Sequence, residues 1–222
     1  MKRKYIIIFL SSLWFCSIVV FSINLFGNLK KDKTDRMAAG FLEMRRGTWR
    51  EHNIPESDGK LLYDLIVKNN YTKALEIGTS TGHSGIWMAW ALSGTGGKLI
   101  TIEINEGRYK KALENFREAG VSGYIDARLG DAHKIVKELE GPFDFIFCDA
   151  DKDWYKNYFT ELYPKLVKGG CYAAHNVYDS SPKRYFRSSG ISEFYNYIKS
   201  LNYMQTTLDD SGGGISISYK KN

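Results

Sequence analysis

The sequence predicts an α/β fold: a doubly wound, mostly parallel sheet that ends in an antiparallel hairpin and is preceded by an N-terminal transmembrane helix. Three observations point there. Between residues 73 and 201, five short apolar runs alternate with five stretches of helical periodicity, and such βα units build a parallel sheet. Residues 203–219 then change to two short runs flanking Gly212-Gly213-Gly214, the pattern of a hairpin on the sheet edge. At the other end, Tyr5 to Leu29 contains no charged residue and is long enough to cross a hydrocarbon layer as a helix.

In chain order, residues 1–29 read as a membrane anchor, 30–52 as a linker with a charged helix, and 53–222 as one globular domain. A cleaved signal peptide is the alternative for the first segment, but its apolar part is longer than an h-region and no small-residue cleavage site follows. Within 34–52, Met37, Phe41, Leu42 and Trp49 are expected to pack over the domain edge. Pro55 to Asn69 forms a helix, with Pro and acids in its first turn and Asn69-Asn70 to stop it. Strands follow at 73–78, 98–103, 124–129, 143–148 and 170–174. Helices follow them at 83–92, 106–119, 131–139, 154–167 and 191–201.

The formal charge of +6 is concentrated at the front: residues 1–33 hold +5 and the rest only +1. A near-neutral body excludes a nucleic-acid-binding stripe, whereas the basic flanks of the apolar stretch suit anionic lipid headgroups. The expected partner is therefore the membrane, through a single N-terminal pass; equal basic counts on both sides leave the orientation open. Cys16 lies in the apolar stretch. Cys148 and Cys171 sit in strands as small buried hydrophobes, with no C-x-x-C pair, which favours a reducing compartment.

Chemistry is expected at the carboxyl ends of the strands, where open α/β sheets bind ligands. The stretch Phe143 to Tyr155, FDFIFCDADKDWY, places Asp149, Asp151, Lys152 and Asp153 there. The first turn, with Gly78, Thr79, Gly82 and Ser84, links a strand to a helix amino end and suits close approach to an anionic group. Its G-x-x-x-G spacing lacks the middle glycine of the dinucleotide fingerprint. Glu103 ends the second strand where an acid binds ribose hydroxyls, so glycine turn and acid together indicate a nucleoside-containing cofactor. Glu76 is a carboxylate inside an apolar strand and requires a cationic or hydrogen-bonding partner. Asp131 either caps a helix or contacts a cofactor base, and both are compatible. His52, His83 and His133 have no such company and read as structural.

In order and spacing, LEIGTSTGHS, the acid of TIEIN, GDA, FCDADKDWYKNY and LVKGGCYAAHNV resemble the motif series of the small cation-dependent O-methyltransferases related to caffeoyl-CoA and catechol O-methyltransferases. The resemblance covers roughly residues 50 to 220 and implies a seven-stranded Rossmann-like sheet. It also implies S-adenosylmethionine as cofactor and methyl transfer to a hydroxyl of a small aromatic acceptor, catechol-like or hydroxycinnamoyl-like. A homodimer is compatible with it. It assigns Ile54, Glu76, Gly78, Ser84, Glu103 and Ala132 to the cofactor site, with Thr79, Gly82, Asp131 and Asp149 beside them. Lys152 corresponds to the family's general base.

A divalent cation is implied at Asp149, His175 and Asn176, but His175 stands where the family has an aspartate. That substitution favours a softer first-row metal, a weakened magnesium site, or no metal with His175 as base. A catalytically silent cofactor-binding homologue and a nicotinamide-dependent oxidoreductase are the rival readings. Residues 177–190 are expected to form the acceptor loop, with Trp154, Tyr178, Tyr185 and Phe186 available for stacking and Lys183, Arg184 and Arg187 for an acidic acceptor.

Overall fold

The computed structural model describes residues 29, 31–50, 52–178 and 189–221. A first helix, α1 (31–44), precedes α2 (Glu56–Asn69), and five parallel strands follow: β1 (Lys73–Ile77), β2 (Lys98–Glu103), β3 (Ile125–Leu129), β4 (Phe143–Cys148) and β5 (Leu166–His175). Between them run α3 (His83–Thr95), α4 (Glu106–Glu118), α5 (Ala132–Glu138) and α6 (Tyr155–Leu162). The chain ends with α7 (Ser189–Ser200) and the antiparallel pair β6 (Met204–Asp209) and β7 (Ile215–Lys220). The sheet order is β3-β2-β1-β4-β5-β7-β6, so the chain reverses direction at β1, and β1 and β4 are neighbours at the switch point.

Alternation along each strand divides the core. Leu75, Ile77, Ile146 and Cys148 face α5, α6 and α7, whereas Ala74, Phe145 and Phe147 face α2 and α3. Helix α3 is buried along most of its length because it also supports α1 and α4 through Ile86, Trp87 and Ala89. Helix α2 lies tight on α3: a Cβ on Gly59 would stand 2.2 Å from Trp87 Cδ1. That close approach fixes the first turn of α2, and with it Asp58, against the end of the sheet.

Two boundaries differ from expectation for local reasons. The helix expected over 154–167 is split: a 3-10 turn at Lys152–Trp154 precedes α6, and a second at Tyr163–Lys165 contains Pro164, which cannot continue an α-helix. Leu166 and Val167 thereby open β5 instead. Asn70 ends α2 as expected, in the left-handed conformation with φ 53° and its N–H on the Ile66 and Val67 carbonyls.

The expected transmembrane helix is corrected, and with it the membrane partner and single-pass location. Among the described residues no helix is long and apolar enough to cross a membrane. Helix α1 is rich in charge and buries only one stripe, Ala38, Phe41 and Leu42, against α3 and α4. The apolar stretch that prompted the expectation falls, apart from Leu29, outside the described residues, as do 179–188 of the expected acceptor loop.

Candidate active site

A cavity of about 570 Å³ opens at the carboxyl ends of β1, β2, β4 and β5, within the range of small-molecule sites. Its wall includes Gly78, Ser80, Glu103, Asp131, Ala132, Asp149, Lys152, His175 and Asn176. Four non-glycine wall residues are held at positive φ: His52 (60°), Ser80 (48°), Asp151 (47°) and Asn176 (58°), so His52 lies on the cavity wall rather than apart from it as expected. Such backbone persists only where its surroundings over-determine it, as at ligand sites. Gly78, at φ +100°, has no alternative, because a Cβ there would stand 2.9 Å from the Ala150 methyl group.

One end of the cavity is organised by Glu103. Its carboxylate accepts from the backbone N–H of Ser80 at 2.8 Å and of Asn105 at 2.9 Å, and from Arg108 Nη2 at 3.0 Å. These bonds hold the glycine turn and the start of α4 around one buried anion. Asp131 caps α5 as expected, accepting from the His133 N–H at 2.9 Å, and it also lines the cavity. His133 is not the bystander expected. It lies on the cavity wall, its Nε2 is 2.8 Å from the acceptor Asp151 Oδ2, and it stacks on Trp154 with centroids 3.8 Å apart.

Glu76, Thr79 and Ser84 lie below the wall as a buried relay. Thr79 Oγ1 is 2.5 Å from Thr101 Oγ1, Thr101 donates to Glu76 Oε2 at 2.6 Å, and Ser84 donates to Glu76 Oε1. Burial raises the Glu76 carboxyl to about 7 against these two hydroxyl bonds, so a cation arriving beside it would restore its charge. Ile54 and Gly82 are also set back: the Ile54 carbonyl accepts from His83 Nδ1 at 3.0 Å, and a Cβ on Gly82 would meet Phe116 at 2.6 Å. His83 is structural as expected. Burial lowers it to about 4, and its neutral Nε2 accepts from Trp87 Nε1 at 3.2 Å. Cys148 and Cys171 are free and buried, their thiols pushed up to about 12 by desolvation.

At the other end, His175 lies between two carboxylates. Its Nδ1 is 3.1 Å from Asp149 Oδ1 and its Nε2 is 2.8 Å from Asp58 Oδ2. Lys152 Nζ donates to the same Asp149 oxygen and to the Tyr155 hydroxyl at 2.8 Å, and that hydroxyl donates to the His175 carbonyl at 3.1 Å. The backbone N–H of Gly213 donates to Asp58 Oδ2 at 2.8 Å. Burial alone would lower the His175 ring, but the charge and hydrogen bonds of Asp149, with the bond to Asp58, raise it to about 9. Burial likewise opposes the Asp149 charge, yet His175 and Lys152 together hold its carboxyl below the usual range.

Asp58, Tyr155 and Arg108 escaped the sequence reading. Asp58 looked like an ordinary first-turn helix acid. The available signal was the glycine triplet. A Cβ on Gly212 would stand 1.7 Å from Asp58 Oδ1, and one on Gly213 would stand 2.3 Å from His175 Nε2. The hairpin turn lies directly on the Asp58–His175 pair, which only glycines permit. Gly213→Ala is therefore expected to break that pair and destabilise the protein by about 2–3 kcal/mol, the cost of unpaired buried polar groups. In a chain of this size that lowers the thermal midpoint by roughly 5–10 °C. Calorimetry showing an unchanged midpoint would refute the contact.

Residues 36–181, more than half of the chain, match the profile of a family described as O-methyltransferase. The chain belongs to the O-methyltransferase family. Caffeoyl-CoA O-methyltransferase 1 of Eucalyptus globulus is 36% identical over 134 residues, 58% of this chain and 54% of that protein. Caffeoyl-CoA O-methyltransferase 1 of Zea mays is 38% identical over 128 residues, 55% and 49% of the two chains. This family member thus spans about half the length of the curated relatives it matches. Among solved structures, the O-methyltransferase from Bacillus cereus in complex with SAH superposes with a TM-score of 0.70 at 26% identity, over 86% of this chain and 90% of that one. TomG of Streptomyces achromogenes, an O-methyltransferase in complex with SAM, gives 0.70 at 25% identity, over 87% and 90%.

The donor set does not fit the divalent cation that Asp149, His175 and Asn176 were expected to hold. Both ring nitrogens of His175 are engaged by carboxylates, and Asp149 Oδ1 already faces His175 and Lys152. Among the described residues no group of three or more His, Cys, Asp or Glu side chains is arranged to hold a metal ion.

Proposed function

We propose that this protein transfers the methyl group of S-adenosylmethionine to a hydroxyl of a small aromatic acceptor, catechol-like or hydroxycinnamoyl-like. One observation carries the reading: a single cavity joins Glu103, an acid placed for ribose hydroxyls, to the Asp149–Lys152–His175 cluster. Family membership and the cofactor named in the Bacillus cereus and Streptomyces achromogenes structures support the same cofactor for this chain.

When bound, the cofactor would supply a methyl group on a sulfonium, whose carbon the acceptor oxygen attacks in line as the C–S bond breaks and the sulfur leaves as a neutral thioether. The protein's part is positioning and charge. Gly78 and Ala132 would allow the cofactor close contact with the backbone, Glu103 would accept from its ribose hydroxyls, and Glu76 would stand toward its amino-acid end. Lys152, paired with Asp149 at rest, gives a proton to solvent before its Nζ receives that of the acceptor hydroxyl; Asp149 and the Tyr155 hydroxyl fix where that nitrogen stands. The neighbouring positive charge of His175 favours the acceptor as an oxyanion while the C–O bond forms.

The test is calorimetric titration with S-adenosylhomocysteine, followed by transfer of labelled methyl from S-adenosylmethionine to a panel of catechols and hydroxycinnamoyl esters. Micromolar binding and label in an ether product are expected. Binding without transfer to any acceptor would favour a silent homologue. Tighter binding of NAD than of S-adenosylhomocysteine would end the methyltransferase reading.

A further inference from the structure

We propose that His175, as an imidazolium clamped between Asp58 and Asp149, is the built-in cation of this site and makes methyl transfer independent of any divalent metal. The inference deepens the methyltransferase reading and rests on it for its catalytic part; the charge assignment stands on hydrogen-bond geometry alone.

A neutral imidazole has one N–H and one lone pair, whereas both His175 nitrogens here face carboxylate oxygens, at 2.8 and 3.1 Å. Each of those oxygens is an acceptor on independent grounds. Asp58 Oδ2 takes the N–H of Gly213, a backbone donor with no other role open to it, and Asp149 Oδ1 takes Lys152 Nζ. With both carboxylates ionised the ring donates to both, which takes both protons and a full positive charge.

The charges then balance without an added ion. Two carboxylates, Asp58 and Asp149, face two cations, His175 and Lys152, and the pair nearest the core is almost fully enclosed, with the His175 side chain 6% and the Asp58 side chain 2% exposed. Leaving such buried charges unpaired is costly. A divalent ion at Asp149 would have to displace one cation and stand beside the other. Asp58 is on this account a positioning residue: it touches no substrate, but it holds the ring's far nitrogen so that the charge stays at the cavity wall. His175 is reserved for charge rather than proton transfer, since it has no lone pair to offer as a base.

The test uses the full chain with S-adenosylhomocysteine bound. Mn²⁺ is titrated into wild type and His175→Asp, followed by calorimetry and by electron paramagnetic resonance of the bound ion. Wild type is expected to bind Mn²⁺ no more tightly than about 1 mM. His175→Asp, which leaves carboxylates where the cation stood, is expected to bind it at least about tenfold more tightly and to need it for turnover. In wild type, turnover should be unchanged by EDTA. Nitrogen-15 spectra of wild type, which depend on no variant folding, should show protons on both His175 ring nitrogens. Tight Mn²⁺ binding by wild type that is lost in Asp149→Ala, or a His175 ring with one bare nitrogen, would overturn the proposal. Failure of S-adenosylhomocysteine to bind would instead overturn the methyltransferase reading, while the nitrogen spectra would still decide the charge.

Discussion

Asp149→Ala is expected to lower kcat/KM for methyl transfer by at least about a hundredfold, the scale on which small misplacements of reacting groups act. The same change should cost roughly 3–5 kcal/mol of stability, because it leaves buried charge without its partner. Both effects have one cause. Asp149 Oδ1 is the common acceptor of His175 and Lys152, so its removal frees the lysine from its position and strands the imidazolium. Cofactor affinity should change far less, since Glu103 and the glycine turn do not depend on Asp149. Steady-state kinetics, urea unfolding and S-adenosylhomocysteine titration on one preparation separate the three quantities. A stable variant with near-normal turnover would show that the cluster is not at the reaction.

The second large effect is a loss of stability in alkaline solution. His175 is raised from 6.5 to about 9 in the folded protein. Its contribution is fully present below pH 6.5 and is lost as pH rises through 9. The size follows from the shift and is roughly 3 kcal/mol. Two other buried groups titrate at lower pH with opposite signs. Glu76, raised to about 7, favours the folded state as pH falls, whereas His83, lowered to about 4, disfavours it over nearly the same interval. They largely cancel, so unfolding free energy should be nearly flat from about pH 5 to 6.5 and then decline towards pH 9. Urea unfolding across that range checks the shape, and His175→Gln should remove the decline. A flat profile in wild type would mean that the ring gains nothing from its two carboxylates.

The parts of this protein that were legible in the sequence follow from local rules. Five βα units, the glycine turn, Glu103 and the Asp149–Lys152 string are set by periodicity and by neighbours a few residues apart. The bounds of α6 are set by a 3-10 turn before it and by Pro164 after it, which helical periodicity alone runs past. The site's charge arrangement was not legible, for a different reason. His175 was seen as an anomaly, but its meaning depends on Asp58, which is 117 residues away and belongs to a helix whose own pattern accounts for an acid in that turn. Gly213 reaches the same carboxylate from 155 residues away. No spacing rule connects these positions; the sheet order does, by bringing β7 beside β5 and α2 over its end.

The span of those contacts also bears on how the protein acquires its chemistry. Closing loops of that length carries an entropic cost that local helices do not meet, so the Asp58–His175–Gly213 contact belongs to the late part of assembly. Asp149, at the end of β4, faces the ring without the hairpin; docking of the hairpin adds the Gly213 N–H on Asp58 and covers the Asp58–His175 pair. The ring is thus clamped on its second side only when the sheet closes over Asp58, so the setting of a single histidine is tied to contacts from both ends of the chain.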